Sequence, residues 1–252
     1  MPVVIPSNAA KSQFEQTNFD TSPALTPNAK AAMLGNPGIF PTVSDVLDLA
    51  GAPTGSTVDA QLMRNWGYQG ADKPPPGLYF FVSHPTWITG QNIIGIVNDN
   101  GGYAIYIKDV AFNDAAPPNM GAILTAKIAR FCMRRKIRRI QLLAAGGRFW
   151  PDERWLGYYA WARYGFDMDL SKAMEDDYGN PEPFTCASDL APFFPCRPAD
   201  LANCRTVQDV LQAKHGKEWW KICGNGWFMD FDCSPIRASV AALESYCKEK
   251  NI

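Results

Sequence analysis

The sequence predicts an α/β fold with an N-terminal arm and a late irregular insertion. Two observations carry this. Short apolar runs rich in β-branched and aromatic residues recur between turn-forming residues, and from residue 113 onward they alternate with helix-like segments. The composition agrees: 46% of the 252 residues are apolar and 19% charged, which excludes disorder from low hydrophobicity.

The arm comes first. Pro2, Pro6, Pro23, Pro27 and Pro37 interrupt its polar stretches, and only Ala29 to Leu34 suits a helical turn or two. Thr42-Val-Ser-Asp45 then offers helix caps before Val46, Leu47 and Leu49, with Gly51 as a stop. A second short helix is expected over about Val58 to Asn65. The run Lys73-Pro-Pro-Pro-Gly77 closes this leader, so residues 1–76 are read as an arm with short helices packed on a main domain of residues 77–252.

Strand signals begin at Leu78–Ser83 and continue at Asn92–Val97. Asn98-Asp-Asn-Gly-Gly102 is a hairpin turn, because Asn, Asp and Gly tolerate positive φ. Tyr103–Phe112 returns as a strand, with Ile105, Ile107 and Ala111 on one face and Tyr106, Lys108 and Val110 on the other. A loop from Asn113 leads into a helix from about Gly121 to Lys136. Arg138–Ala145 reads as a buried strand ended by Gly146-Gly147. Leu156–Tyr164 reads as a helix ended by Gly165, with Phe166 opening another strand.

Residues 171–205 form the irregular insertion. Thr206-Val-Gln-Asp209 resembles a capping box opening a helix that ends near Gly216. Trp227–Cys233 is a strand, and Ser234-Pro235 starts a final helix, Ile236–Lys250.

Several function classes lose support from composition alone. Lys and Arg total 24 against 25 Asp and Glu, so bulk charge does not indicate a nucleic-acid partner. The basic cluster Arg134-Arg-Lys-Ile-Arg-Arg139, with Lys127 and Arg130, reads first as a solvated helix end, and it is the one feature behind an alternative reading as a nucleic-acid-binding accessory protein. The seven cysteines form no Cys-x-x-Cys pair, and His84 and His215 stand alone, so no metal site is expected. There is no signal-peptide pattern and no membrane span, which leads us to expect a cytoplasmic protein with reduced thiols and no membrane partner.

The stretch Ala116-Pro-Pro-Asn-Met-Gly121, at the junction of strand and helix, and Leu156-Gly-Tyr-Tyr-Ala-Trp-Ala-Arg-Tyr-Gly-Phe166 resemble two motifs of the GCN5-related N-acetyltransferases. The first matches a family loop, Q/R-x-x-G-x-G/A, whose backbone N–H groups hold the coenzyme A pyrophosphate. Gly121 fits its last glycine. Ala116 replaces the Gln or Arg, Asn119 replaces the middle glycine, and two prolines remove two donors. The same stretch also suits the plain start of a core helix. In the second motif Trp161 occupies the slot of a family tyrosine that protonates the leaving thiolate, and Tyr158 lies three residues earlier. The residues around it, with Glu218-Trp-Trp-Lys221 and Phe231-Asp-Cys-Ser234, are similar to those of GNAT-like proteins of bacteriophages and bacteria.

This resemblance implies a mixed central sheet flanked by helices, and an acyltransferase using acetyl-CoA or another acyl-CoA on an amine of a small molecule or protein. It places the coenzyme against Val110, Phe112, Asn119, Met120, Gly121, Ala122 and Trp161. It makes Tyr158 the acid, with Asp109 or Asp114 as base. The alternative is a non-catalytic module of the same fold, for instance part of a phage particle, with a protein partner reached through the arm. For a phage-encoded chain, the location is the host cytoplasm or the virion.

Overall fold

The computed structural model describes residues 23–67, 73–147, 156–170, 201, 204–224, 226–234 and 237–252. They form a mixed α/β structure with one seven-stranded sheet, whose strands β1 to β7 lie in chain order. Two compact units divide the chain, residues 1–141 with 232–252, and residues 142–231.

The first unit opens with β1 (Ala24–Leu25) and α1 (Pro27–Gly35), where Thr26 caps the helix and Pro27 takes its first turn. Next comes α2 (Val43–Leu49), held by a complete capping box. The Thr42 side chain accepts from the Asp45 N–H, and Asp45 accepts from the Thr42 N–H. Gly51 follows at φ +60, with Leu124 so close that a Cβ would collide.

The expected helix at Val58–Asn65 is instead β2 (Thr57–Met63). Ala60, Gln61, Leu62 and Met63 are good helix formers, but Val58 and Ala60 are buried with period two, and the whole segment pairs antiparallel with β3 (Gly77–Ser83). Tertiary pairing overrides local propensity here. β1 pairs parallel with β2. β4 (Asn92–Asp99) and β5 (Gly102–Asp109) complete an antiparallel run, joined by the expected turn with Asn100 at φ 44 and Gly101 at φ 85.

From β5 the chain loops into α3 (Met120–Arg135) and returns as β6 (Arg139–Leu143), the neighbour of β5. Helix α3 covers one sheet face. Phe40 stands edge-on to Phe80 of β3, with centroids 5.5 Å apart, and stacks on Phe131 of α3 at 5.9 Å. All three rings are buried. The C-terminal helix α7 (Ala238–Lys250) belongs to the same unit and buries Val240, Leu243, Tyr246 and Cys247. The expected cap at Ser234-Pro235 falls partly on residues outside those described.

The second unit holds α4 (Gly157–Arg163), α5 (Val207–Gln212), α6 (Gly216–Cys223) and most of β7 (Phe228–Asp232). Gly165, at φ 97, ends the first of these helices as expected. Phe166 does not open a strand: Asp167 and Asp169 make single bridges, to Asp230 and Thr206. Thr206 and Asp209 form the expected capping box, but the helix stops at Gln212 and Gly216 begins another. Residues 171–200, most of the expected insertion, lie outside the described set, as do residues 1–22 of the arm.

Candidate functional site

The residues singled out from the sequence fall in both units. Asp109, Val110, Phe112, Asp114 and Asn119–Ala122 belong to the first, Tyr158 and Trp161 to the second.

In the first unit the end of β5 is a built feature. The β4–β5 ladder shifts register between Ile93 and Ile94, because Ile93 opposes Asp109 while Ile94 opposes Ile107. Lys108 is the extra residue of this bulge. Asp109 makes the last pair, so Val110 lies one residue beyond the ladder and half-buried. The chain is then pinned from the loop before β4. Thr89 donates to the Ala111 carbonyl at 3.0 Å, Ala111 donates to Asn92 Oδ1 at 2.9 Å, and Phe112 bridges to Ile88. Asn113 donates through Nδ2 to the Thr86 carbonyl at 2.6 Å. These bonds hold the segment that carries Val110 and Phe112, and Asp114 stands exposed just after it.

That segment feeds the N-terminus of α3. Asn119 is its N-cap residue at φ 65 and ψ 16, in the left-handed region, and makes no side-chain capping bond. Its Oδ1 accepts from the Tyr246 hydroxyl at 3.3 Å instead. The first helical bond runs from the Ile123 N–H to the Asn119 carbonyl, so the preceding amides of Met120, Gly121 and Ala122 have no intrahelical acceptor. Met120 and Ala122 bury their side chains, whereas Gly121 is half-exposed.

The basic cluster is largely paired within the first unit. Arg134 bonds Asp48 at 2.6 Å, Arg135 bonds Asp45 at 2.8 Å, and Arg139 bonds Asp99 at 2.6 Å. Lys127 donates to the Ala52 carbonyl at 3.0 Å. Burial pushes the Asp45 carboxyl up, but the Thr42 hydroxyl and the two arginines outweigh it, and its pKa lies below the ordinary value. Burial lowers the Arg130 pKa from its usual level. The run therefore ties α2 and β4 to the α3–β6 stretch rather than presenting a row of unpaired cations.

In the second unit Tyr158 is buried. Its hydroxyl donates to the Lys221 carbonyl at 2.5 Å, its carbonyl accepts from the Trp220 indole N–H at 3.1 Å, and its N–H donates to the Ala145 carbonyl at 3.0 Å. Service as a proton donor would require the first of these bonds to break. Trp161 packs edge-on against Tyr164 at 5.8 Å and Phe166 at 5.3 Å. Phe166 in turn meets Phe231 at 5.4 Å.

Asn92 has a place in the site that the sequence does not advertise, beyond being a polar residue at the start of an apolar run. No helix among the described residues is long and apolar enough to cross a membrane. No protein-family model, curated protein or solved structure matches this chain.

Proposed function

We propose that the protein is an acyl-CoA-dependent N-acyltransferase acting on an amine. The observation that carries this reading is the left-handed Asn119 at the start of the sixteen-residue α3, which leaves the first-turn amides without a side-chain cap at the end of β5. Uncapped amides at the positive end of a helix favour a phosphate group. Pro117 and Pro118 remove two donors ahead of it, so Met120, Gly121 and Ala122 supply the amides that meet the pyrophosphate.

The remaining roles follow from the bulged end of β5. The Val110 N–H polarises the thioester carbonyl, and the chain around Phe112 borders the acyl arm. Asp109 or Asp114 accepts the proton that the amine loses on attack, directly or through a water. The amine nitrogen bonds the acyl carbon, the carbon–sulfur bond breaks, and the sulfur leaves as thiolate. Tyr158 is not assigned the final protonation, because its hydroxyl is bonded to Lys221. A thiolate leaves readily without it, since thiols ionise near pH 8.5.

A second reading, a non-catalytic module of the same fold, is favoured by that engagement of Tyr158 and by Trp161 in the family tyrosine's slot. Thiol release from acetyl-CoA over a broad panel of amines separates the two. Turnover with any amine supports the enzyme, and coenzyme binding without turnover on any supports the module.

A further inference from the structure

The carboxamide of Asn92 is a buried donor without an acceptor. Asn92 opens β4 and is 1% exposed. Its Oδ1 accepts the Ala111 N–H at 2.9 Å. A backbone N–H bonds only to an acceptor, so this contact determines which end of the carboxamide is oxygen. The Nδ2 group, with its two N–H bonds, is then buried and unpaired among the described residues. Native proteins seldom keep such a group without a task for it.

Its position suggests the task. Strand alternation puts Asn92 on the face of β4 that carries Ile94 and Ile96. The pairs Asn92–Val82 and Ile94–Phe80 place Val82 and Phe80 on that face as well. Phe80 meets Phe40, which stacks on Phe131, so this is the face that α3 covers. Asn92 bonds Ala111, just past the end of β5, where the chain turns toward the first turn of α3. The spare N–H bonds of Asn92 and the open amides of α3 therefore share one face and one end of the sheet. The strand residues beside Asn92 on that face, Val82 and Ile94, are apolar, and burial lowers the pKa of the buried His84 two residues past Val82, which suits a neutral oxygen rather than a carboxylate or phosphate.

We propose that Asn92 Nδ2 donates to a carbonyl oxygen on the neutral arm of an acyl-CoA, either the thioester carbonyl or a pantetheine amide. This rests on the function proposed above and adds to it a residue that selects for the arm. Asn92→Asp keeps the acceptor for Ala111 and removes the donor. Asn92→Ala removes both without burying a charge, and decides the matter if the aspartate variant does not fold. Calorimetric titrations with acetyl-CoA, coenzyme A and ADP, on proteins whose melting confirms folding, test the assignment. The expected result is a loss of about tenfold or more in acetyl-CoA affinity with ADP affinity unchanged, since ADP carries phosphates and no arm. An equal loss for coenzyme A identifies a pantetheine amide, and a loss confined to acetyl-CoA identifies the thioester. Unchanged acetyl-CoA affinity, or an equal loss for ADP, overturns the role of Asn92 while leaving the proposed function standing. A wild-type protein that binds none of the three overturns both.

Discussion

The Tyr158 hydroxyl donates to the Lys221 carbonyl at 2.5 Å, across 63 residues of chain, while the Trp220 indole donates back to the Tyr158 carbonyl. Helices α4 and α6 are thus stitched by two bonds running in opposite directions. Both donors lie on buried side chains; the indole bond is fully buried, and the hydroxyl bond reaches the backbone of the exposed Lys221.

Tyr158→Phe tests what that hydroxyl does. It removes one donor and leaves the Lys221 carbonyl to find water or remain unpaired. A stability loss of about 1 kcal/mol is expected in denaturant unfolding, with turnover and acetyl-CoA affinity unchanged. A fall in turnover of about a hundredfold or more at unchanged stability would instead make Tyr158 the general acid.

Asp45 joins two devices, the capping box of α2 and the ion pairs to Arg134 and Arg135. Asp45→Ala should cost about 2 kcal/mol, more than a surface ion pair. The pH dependence has a definite sign. A carboxylate whose folded pKa lies below its unfolded 3.8 adds stability above that value, and the gain is lost as pH falls through the folded pKa. Melting curves of wild type and Asp45→Asn should therefore differ most at neutral pH and converge in acid below the unfolded value. A difference that stays constant into strong acid would contradict the assignment.

The buried thiols of Cys132 and Cys233 lie together in the first unit. Burial pushes the Cys132 thiol well above its ordinary value, with Cys233 beside it adding to the shift. Alkylation by iodoacetamide at pH 8, read by peptide mapping, should leave Cys132 unmodified until the protein is denatured, because the thiolate is the reactive form. Labelling of native protein at the rate of a free cysteine would show that this core opens readily.

Local chemistry made much of the fold legible. Thr42 with Asp45, Asn100 with Gly101, and Thr206 with Asp209 each specify a cap or turn from adjacent residues, and each forms as expected. Segment β2 was not legible, since Gln61, Leu62 and Met63 favour a helix until the ladder with β3 claims them. The partners of the basic run lie 86 residues away for Arg134 and 40 for Arg139, a separation that no local pattern reveals. For the site, Asn119 and Gly121 are singled out only by the resemblance of their stretch to a family loop, in which asparagine tolerates the left-handed conformation that Asn119 adopts. The bond from Ala111 to Asn92 was not legible, because it depends on how two strands end.

In the proposed enzyme the first turn of α3 receives the phosphates of an acyl-CoA. Thermal unfolding with increasing acetyl-CoA, for wild type and Gly121→Val, tests it most directly. A ligand at a hundred times its Kd stabilises by about 2.7 kcal/mol, which at this chain length raises Tm by roughly 5–10 °C. A saturable rise of that order is expected for the wild type, and none for a folded Gly121→Val, whose branched side chain crowds the phosphate. No rise for the wild type at millimolar acetyl-CoA, or an equal rise in both proteins, would contradict it.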